Sequence, residues 1–336
     1  MTTRREIMGL ALSGTLAAAV AGSEAAQAAP SAEEPAFIVS TWDFGAAANA
    51  AAFARFSGGG SLIDAVEAGA QVPEADAKNQ SVGLGGNPDR DGHVTLDAII
   101  MDGAGNCGAV AAMEGFVHAI SVARRVMEKT PHTFIVGEGA AQFAREQGFH
   151  ETNLLTPESE AAWREWLKTS QYKPEANIEN RIRGGRLNHD TIGILACNTK
   201  GELAGACTTS GMAYKLHGRV GDSPQAGCGL FVEGGVGAAA ATGLGEEVTR
   251  IAGTARVVAS MRAGLDPEAA CREAVAHIAR LRGEAVANTQ VGFVAINTRG
   301  EVGAYSLVPG FTVAITDRAG KTRVVPAKSL SGPAKG

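Results

Sequence analysis

The sequence predicts an α+β protein, a four-layer αββα sandwich of two stacked, mainly antiparallel sheets between helical layers. Three observations lead there. Strand–turn–strand units recur at 93–112, 192–207 and 291–306. Their strands are almost continuously apolar, the pattern of strands buried on both faces. Two segments between the later units carry apolar residues at helical spacing, so helices cover the outside of the sheets.

Composition sets the frame. A chain of 336 residues, 45% hydrophobic and 19% charged, can bury a large core in one large domain or two small ones. A net charge of −5 argues against a nucleic-acid groove. Glycine is abundant, at 44 residues, and much of it lies at turns between short apolar runs.

Residues 1–28 read as a targeting leader rather than fold. Arg4 and Arg5 precede an apolar run from Ile7 to Val20, and Ala26-Gln27-Ala28 offers a small-residue cleavage site. The twin arginine in "TTRREIMG" points to twin-arginine export of a folded protein, with a mature chain beginning near Ala29 in the periplasm or outside the cell. No later apolar run is long enough to span a membrane, so no membrane partner is expected.

The elements follow in order. Phe37–Thr41 is a short apolar strand, followed by a glycine-rich loop at 57–60. "SLIDAVEAG" is a helix capped by Ser61. Residues 93–112 form strand, tight turn and strand, and 140–147 a helix stopped by Gly148. "TPESEAAWREWLKTS" is a polar helix with Thr156 as N-cap and Pro157 at its first position. The charged, aperiodic stretch that follows, up to Asp190, is a loop open to chain scission.

"IGILACNTKGELAGAC" (192–207) then aligns without gaps to "VGFVAINTRGEVGAYS" (291–306), a likeness of hairpin chemistry. Between them, Val248, Ile251, Ala255, Val258 and Met261 predict one helix over 246–263. Cys271, Ala274, Val275, Ile278 and Leu281 predict a second over 266–282, with Pro267 in its first turn. The five cysteines form no CxxC pair, which speaks against a metal site. Cys197 and Cys271 sit in apolar patterns as small core residues, and a Cys197–Cys207 bridge across a hairpin stays open.

The chemistry starts at "NHDTIGIL" (188–195), where three proton-handling groups, His189, Asp190 and Thr191, stand at the mouth of a buried strand. A threonine hydroxyl is a poor nucleophile until a base takes its proton. Scission of the Asp190–Thr191 bond would give Thr191 a free α-amine titrating near neutrality, so one residue would supply nucleophile and base. The hydroxyl could itself perform the cut by attacking the Asp190 carbonyl, assisted by His189 or Asp190. Downstream, "HGRVGDSP" displays Arg219 and Asp222 in a glycine-flanked loop, and "AAAATG" places Thr242-Gly243 before a helix start.

These stretches resemble the N-terminal-nucleophile amidohydrolases of the asparaginase type, and among them the glycosylasparaginases. "HDTIG", "KLHGRVGDSP" and "AAAATG" carry the likeness in order and spacing, joined by "VSTWDFG" (39–45), "SVGLGGNPDRDGHVTLDAIIMDG" (81–103) and "VGFVAINTRGEVGAYSLVPGF" (291–311). The likeness extends over essentially the whole mature chain. It implies one domain made of an α-chain (29–190) and a β-chain (191–336), produced by autoproteolysis at His189-Asp190-Thr191. It implies Thr191 as nucleophile and Thr209 as a hydroxyl touching it. Thr242 and Gly243 would form the oxyanion hole. Arg219, Asp222 and Gly245 would bind the α-carboxylate and α-ammonium of the substrate, while Trp42 and Ser81 would line the site from the α-chain. It implies no metal, no cofactor and an (αβ)2 assembly.

The roles make independent physical sense. A guanidinium grips a carboxylate through two parallel hydrogen bonds, and an acid three residues on can meet an ammonium, so Arg219 and Asp222 together read a zwitterion. Gly243 lets a backbone N–H approach an oxyanion. Two departures stand out: "LGEE" (244–247) replaces the family's acidic "DGD", and the linker "RIRGGRL" (181–187) is longer than usual.

The reaction implied is cleavage of the side-chain amide of N-acetylglucosaminyl-asparagine, releasing aspartate and the glycosylamine. An isoaspartyl peptidase or plain asparaginase shares this site. An exported amino-acid-binding protein that stays one chain is the reading from another class. Weaker features are set aside: "GLGG" (83–86) and "VEGGVG" (232–237) lack the lysine of a phosphate loop, and "NPDRDG" (87–92) lacks the later ligands of a calcium loop. His217 is more simply a solvated or core histidine than a ligand-orienting one.

Overall fold

The computed structural model describes residues 37–169 and 191–331. The leader, the loop at 170–190 and, with it, His189 and Asp190 lie outside the described residues.

Two sheets are stacked face to face. The larger contains β1 (Phe37–Thr41), β2 (Leu96–Asp102), β3 (Cys107–Met113), β4 (Phe134–Val136), β5 (Ile192–Cys197), β6 (Leu203–Thr209), β11 (Thr312–Thr316) and β12 (Thr322–Pro326), in the order β12-β11-β1-β5-β6-β2-β3-β4. The smaller contains β7 (Leu230–Glu233), β8 (Gly237–Gly243), β9 (Val291–Asn297), β10 (Val302–Ser306) and β13 (Lys328–Ser329), in the order β13-β10-β9-β8-β7. Among the described strand pairs, only β3–β4 and β10–β13 run parallel. In the larger sheet, strands from before and after residue 190 alternate: β1 lies between β11 and β5, and β2 pairs with β6.

The apolar core has three sections, as four layers require. Val39, Ile99, Leu195, Ala240, Val294 and Phe311 fill the space between the sheets. On the outer face of the larger sheet, Ile38, Ile100, Ile194 and Ala206 pack with residues of α1 (Gly45–Ser57), α2 (Leu62–Ala75), α3 (Ala119–Lys129) and α4 (Gly137–Glu146). Outside the smaller sheet, Ala239, Ala241, Phe293 and Ala295 meet helices of the second half of the chain. β5, β6 and β9 are buried along their whole length, matching their unbroken apolar runs.

Local chemistry explains the turns. Asn198 Oδ1 accepts from the backbone N–H of Lys200 and Glu202 at 3.1 and 3.0 Å. Asn297 Oδ1 does the same with Arg299 and Glu301 at 3.0 and 3.1 Å. The two look-alike hairpins therefore share a turn design, and they fall in opposite sheets. Asp102 and Asp317 close their own hairpins in the same way. Ser61 forms a full capping box with Asp64, and Thr156 Oγ1 accepts from Ser159 N at the start of α5 (Pro157–Thr169).

Three expectations are corrected or decided. The segment 246–263 is two helices, α6 (Gly245–Arg250) and α7 (Gly253–Arg262), separated at Ala252 with φ of 49°. The break lets the opening N–H groups of α7 bond outside the helix, Thr254 N to Cys228 O and Ala255 N to Gly227 O. In α8 (Pro267–Arg282) the apolar stripe ends before Leu281, which is 59% exposed. Finally, Cys207 pairs with Gly193 and Cys197 with Leu203, so the two thiols are not opposite one another, and all five cysteines are free.

Candidate active site

Thr191 immediately precedes β5 and is buried. Its main chain is fixed by Thr41 at the end of β1: Thr41 Oγ1 donates to the Thr191 carbonyl at 2.8 Å and accepts from Gly193 N at 3.0 Å. Ile192 pairs with Thr208 across β5–β6, so one step further Thr191 comes level with Thr209. On the other side of β6, Thr209 pairs with Asp97. Three polar side chains thus stand abreast at one end of the larger sheet.

The loop after β6 closes over this end. A small pocket is lined by Thr191, Thr209, Arg219, Asp222, Ser223 and Gly243, with Asp97, Gly211, Met212 and Gly221 completing the wall. The Thr191 and Ser223 hydroxyls are 3.4 Å apart. Thr209 Oγ1 donates to the Ser81 carbonyl at 3.3 Å and accepts from Gly211 N at 2.9 Å. Ser81 therefore meets the site through its backbone, and its carbonyl also receives Ser210 N.

From the smaller sheet, the end of β8 brings Thr242 and Gly243. Trp42 Nε1 donates to Thr242 Oγ1 at 3.0 Å, with the indole edge-on to Phe311 at 5.0 Å. Trp42 takes φ of 66°, an uncommon conformation for a bulky residue, and is held in it by this burial. Gly243 has φ of 98°, and a Cβ there would lie 2.2 Å from the Gln290 carbonyl oxygen. A Cβ on Gly245 would lie 2.6 Å from Asp222 Oδ1, so only glycine permits this approach to the carboxylate.

The electrostatics are those of a buried, charged pocket. Burial pushes the Asp222 carboxyl up to about 6; Arg219 opposes this, while Glu246 and Asp97 add to it. Asp222 Oδ2 is buried and has no hydrogen-bond partner among the described residues, which leaves it able to accept from a ligand. Burial likewise raises Asp97 and lowers Lys215, each opposed by the charge of the other. Arg219 is held by Glu246 through Nε at 2.9 Å and Nη2 at 2.8 Å.

The structure brings Thr191, Thr209, Arg219, Asp222 and Gly243 to one pocket, with Thr242, Gly245, Trp42 and Ser81 in contact behind them. His217 is bonded to Asp89 at 2.7 Å and lines a separate cleft with Glu114 and Arg145. "NPDRDG" makes turns, with Asp89 Oδ1 accepting from Asp91 N and His93 N. Residues that the sequence reading missed are Thr41, Asp97, Lys215 and Ser223. All four lie inside stretches that carry the family likeness, Thr41 in "VSTWDFG", Asp97 in "SVGLGGNPDRDGHVTLDAIIMDG", Lys215 and Ser223 in "KLHGRVGDSP", but none shows a role of its own there.

The sequence is similar to that of known proteins over most of its length. A profile of the asparaginase family matches residues 18–325. The N(4)-(beta-N-acetylglucosaminyl)-L-asparaginase of Elizabethkingia miricola is 54% identical over 296 residues, covering 87% of this chain and 85% of that protein. Proteins of the same name from Mus musculus and Rattus norvegicus are each 38% identical, covering 72% of this chain and 76% of their own.

Proposed function

The chain belongs to the asparaginase family, and from that premise we propose that it is an amidohydrolase cleaving the side-chain amide of N-acetylglucosaminyl-asparagine. The observation that carries the reading is the single pocket in which Thr191 faces Thr209 and Gly243 while Arg219 and Asp222 stand at one side. A nucleophile and a zwitterion reader share one small space.

The steps follow from the residues. Scission before Thr191, assisted by His189 and Asp190, frees its α-amine. Arg219 takes the α-carboxylate of the substrate, and Asp222 the α-ammonium beside Gly245. The amine accepts the Thr191 hydroxyl proton as the oxygen attacks the side-chain carbonyl. Thr242 and the Gly243 N–H receive the oxyanion; one such donor lowers the barrier by about 2.7–4 kcal/mol. Collapse passes the proton to the departing nitrogen and releases the glycosylamine, leaving a β-aspartyl ester on Thr191. Water, deprotonated by the same amine, opens the ester and releases aspartate.

The reading extends to a leader removed near Ala29, export in folded form to the periplasm or beyond, and pairing of two processed αβ units. Denaturing electrophoresis, N-terminal sequencing and an assay on N-acetylglucosaminyl-asparagine test it together. Two bands, one starting at Thr191, and release of aspartate are expected. Thr191→Ala is expected to stay in one piece and be inert; an active Thr191→Ala protein would end the mechanism.

A further inference from the structure

Arg219 already has an anionic partner inside the chain. Glu246, in the first turn of α6, accepts from its Nε and Nη2, a side-on bidentate pair. Nη1 carries no hydrogen bond from any described residue. A Cβ added to Gly221 would lie 3.0 Å from Nη1 and 3.2 Å from both Cζ and Nη2, so the guanidinium packs against the Gly221 backbone as well as pairing with the Glu246 carboxylate. Arg219 is 17% exposed and Glu246 40%, which puts the arginine toward the pocket and the glutamate on its solvent side.

A guanidinium offers two edges for bidentate recognition, Nε with Nη2 and Nη1 with Nη2. Glu246 occupies the first and leaves the second for a ligand. A long arginine side chain on a loop otherwise loses rotamer freedom each time it binds, and fixing it in advance removes that cost from the binding step. Burial pushes the Glu246 carboxyl upward, but the hydrogen bonds and charge of Arg219 outweigh this and hold it below its ordinary range, so the clamp is charged at neutral pH.

We propose that Glu246 is a positioning residue that locks the Arg219 guanidinium with its Nη1/Nη2 edge toward the pocket, setting affinity for the α-carboxylate of the substrate without touching the substrate. The inference rests on the proposed substrate class and deepens it.

The test uses the full processed protein with Glu246→Ala and Glu246→Gln. Steady-state kinetics on N-acetylglucosaminyl-asparagine are paired with calorimetric binding of L-aspartate, the product that carries both α groups. In Glu246→Ala, KM and the aspartate Kd are each expected to rise about tenfold, the equivalent of about 1.4 kcal/mol, with kcat within about twofold. Glu246→Gln, of the same shape and retaining one acceptor, falls between. An analogue lacking the α-carboxylate should have the same KM in all three proteins, which a general loss of structure would not reproduce.

An unchanged or lower KM and Kd overturns the proposal, because Glu246 would then be a bystander or an internal competitor for Arg219. A wild-type protein that binds aspartate but does not cleave the glycosylated substrate refutes the function and still judges Glu246. A wild type that binds no aspartate refutes the positioning role itself.

Discussion

The indole nitrogen of Trp42 donates to the hydroxyl of Thr242, two residues 200 positions apart in sequence, and so ties the end of one sheet to the end of the other. Because Thr242 Oγ1 accepts from Trp42, its own O–H is left to point elsewhere, which is what an oxyanion donor requires. Trp42→Phe keeps a ring against Phe311 and removes the donor together with part of the indole's volume. We expect kcat to fall about tenfold, less than the full loss of an oxyanion-hole group, with KM nearly unchanged. Unaltered kcat would show that the indole orients nothing.

Asp222 makes both affinity and stability depend on pH. Its carboxyl is raised by burial to about 6, partly relieved by Arg219 and reinforced by Glu246 and Asp97. As pH falls through about 6, the free protein loses the anion proposed to meet the α-ammonium, so kcat/KM should drop. Stability runs the other way. A carboxyl raised on folding contributes stability that is complete below its unfolded value and lost as pH rises through the folded one. Asp222→Asn should therefore be inactive yet melt higher than wild type at about pH 7.5, by up to roughly 3 kcal/mol, with the difference gone below about pH 4. Thermal unfolding at the two pH values decides it.

Gly245 is fixed by contact with Asp222. Gly245→Ala must push the Asp222 carboxylate away from a position 2.6 Å from the new Cβ. We expect KM to rise at least about tenfold while kcat changes less, since the displaced group binds rather than reacts. Gly243→Ala meets the Gln290 backbone and an unfavourable φ together, so it should lower kcat and Tm at once.

Thr41 braces Thr191, the proposed nucleophile, from behind. Thr41→Val removes both of its hydrogen bonds and strands the Thr191 carbonyl and the Gly193 N–H in a buried place. A cost of about 1–3 kcal/mol per stranded group is expected, read as a lower Tm, together with slower turnover. Thr41→Ser should recover most of both, because it restores the hydroxyl; failure to do so would assign the effect to lost packing of the methyl group.

Much of this molecule was legible because its signals are local. Strand burial followed from unbroken apolar runs such as Ile192–Cys197, and helix starts from Ser61, Thr156 and Pro267. Periodicity failed where tertiary bonding overrode it: Ala252 interrupts a continuous helical pattern because the carbonyls of Gly227 and Cys228 supply the caps. The alanine-rich helix Gly45–Ser57 has too even a composition to show an apolar face. In the site, loop residues with charge were visible as motifs. Asp97 and Thr41 fall within stretches that carry the family likeness, yet neither shows a role of its own there, since each lies in or at the end of an apolar strand and gains its meaning from the strand beside it.

The alternation of early and late strands in the larger sheet has a consequence for handling the protein. With β1 inserted between β11 and β5, and β2 against β6, a nick before Thr191 severs one peptide bond but none of the ladders joining the pieces. The two fragments would co-migrate on a native gel, melt in a single transition and resist separation by dilution. Mixing them after independent refolding would restore little, because neither piece holds a complete sheet on which to rebuild the other.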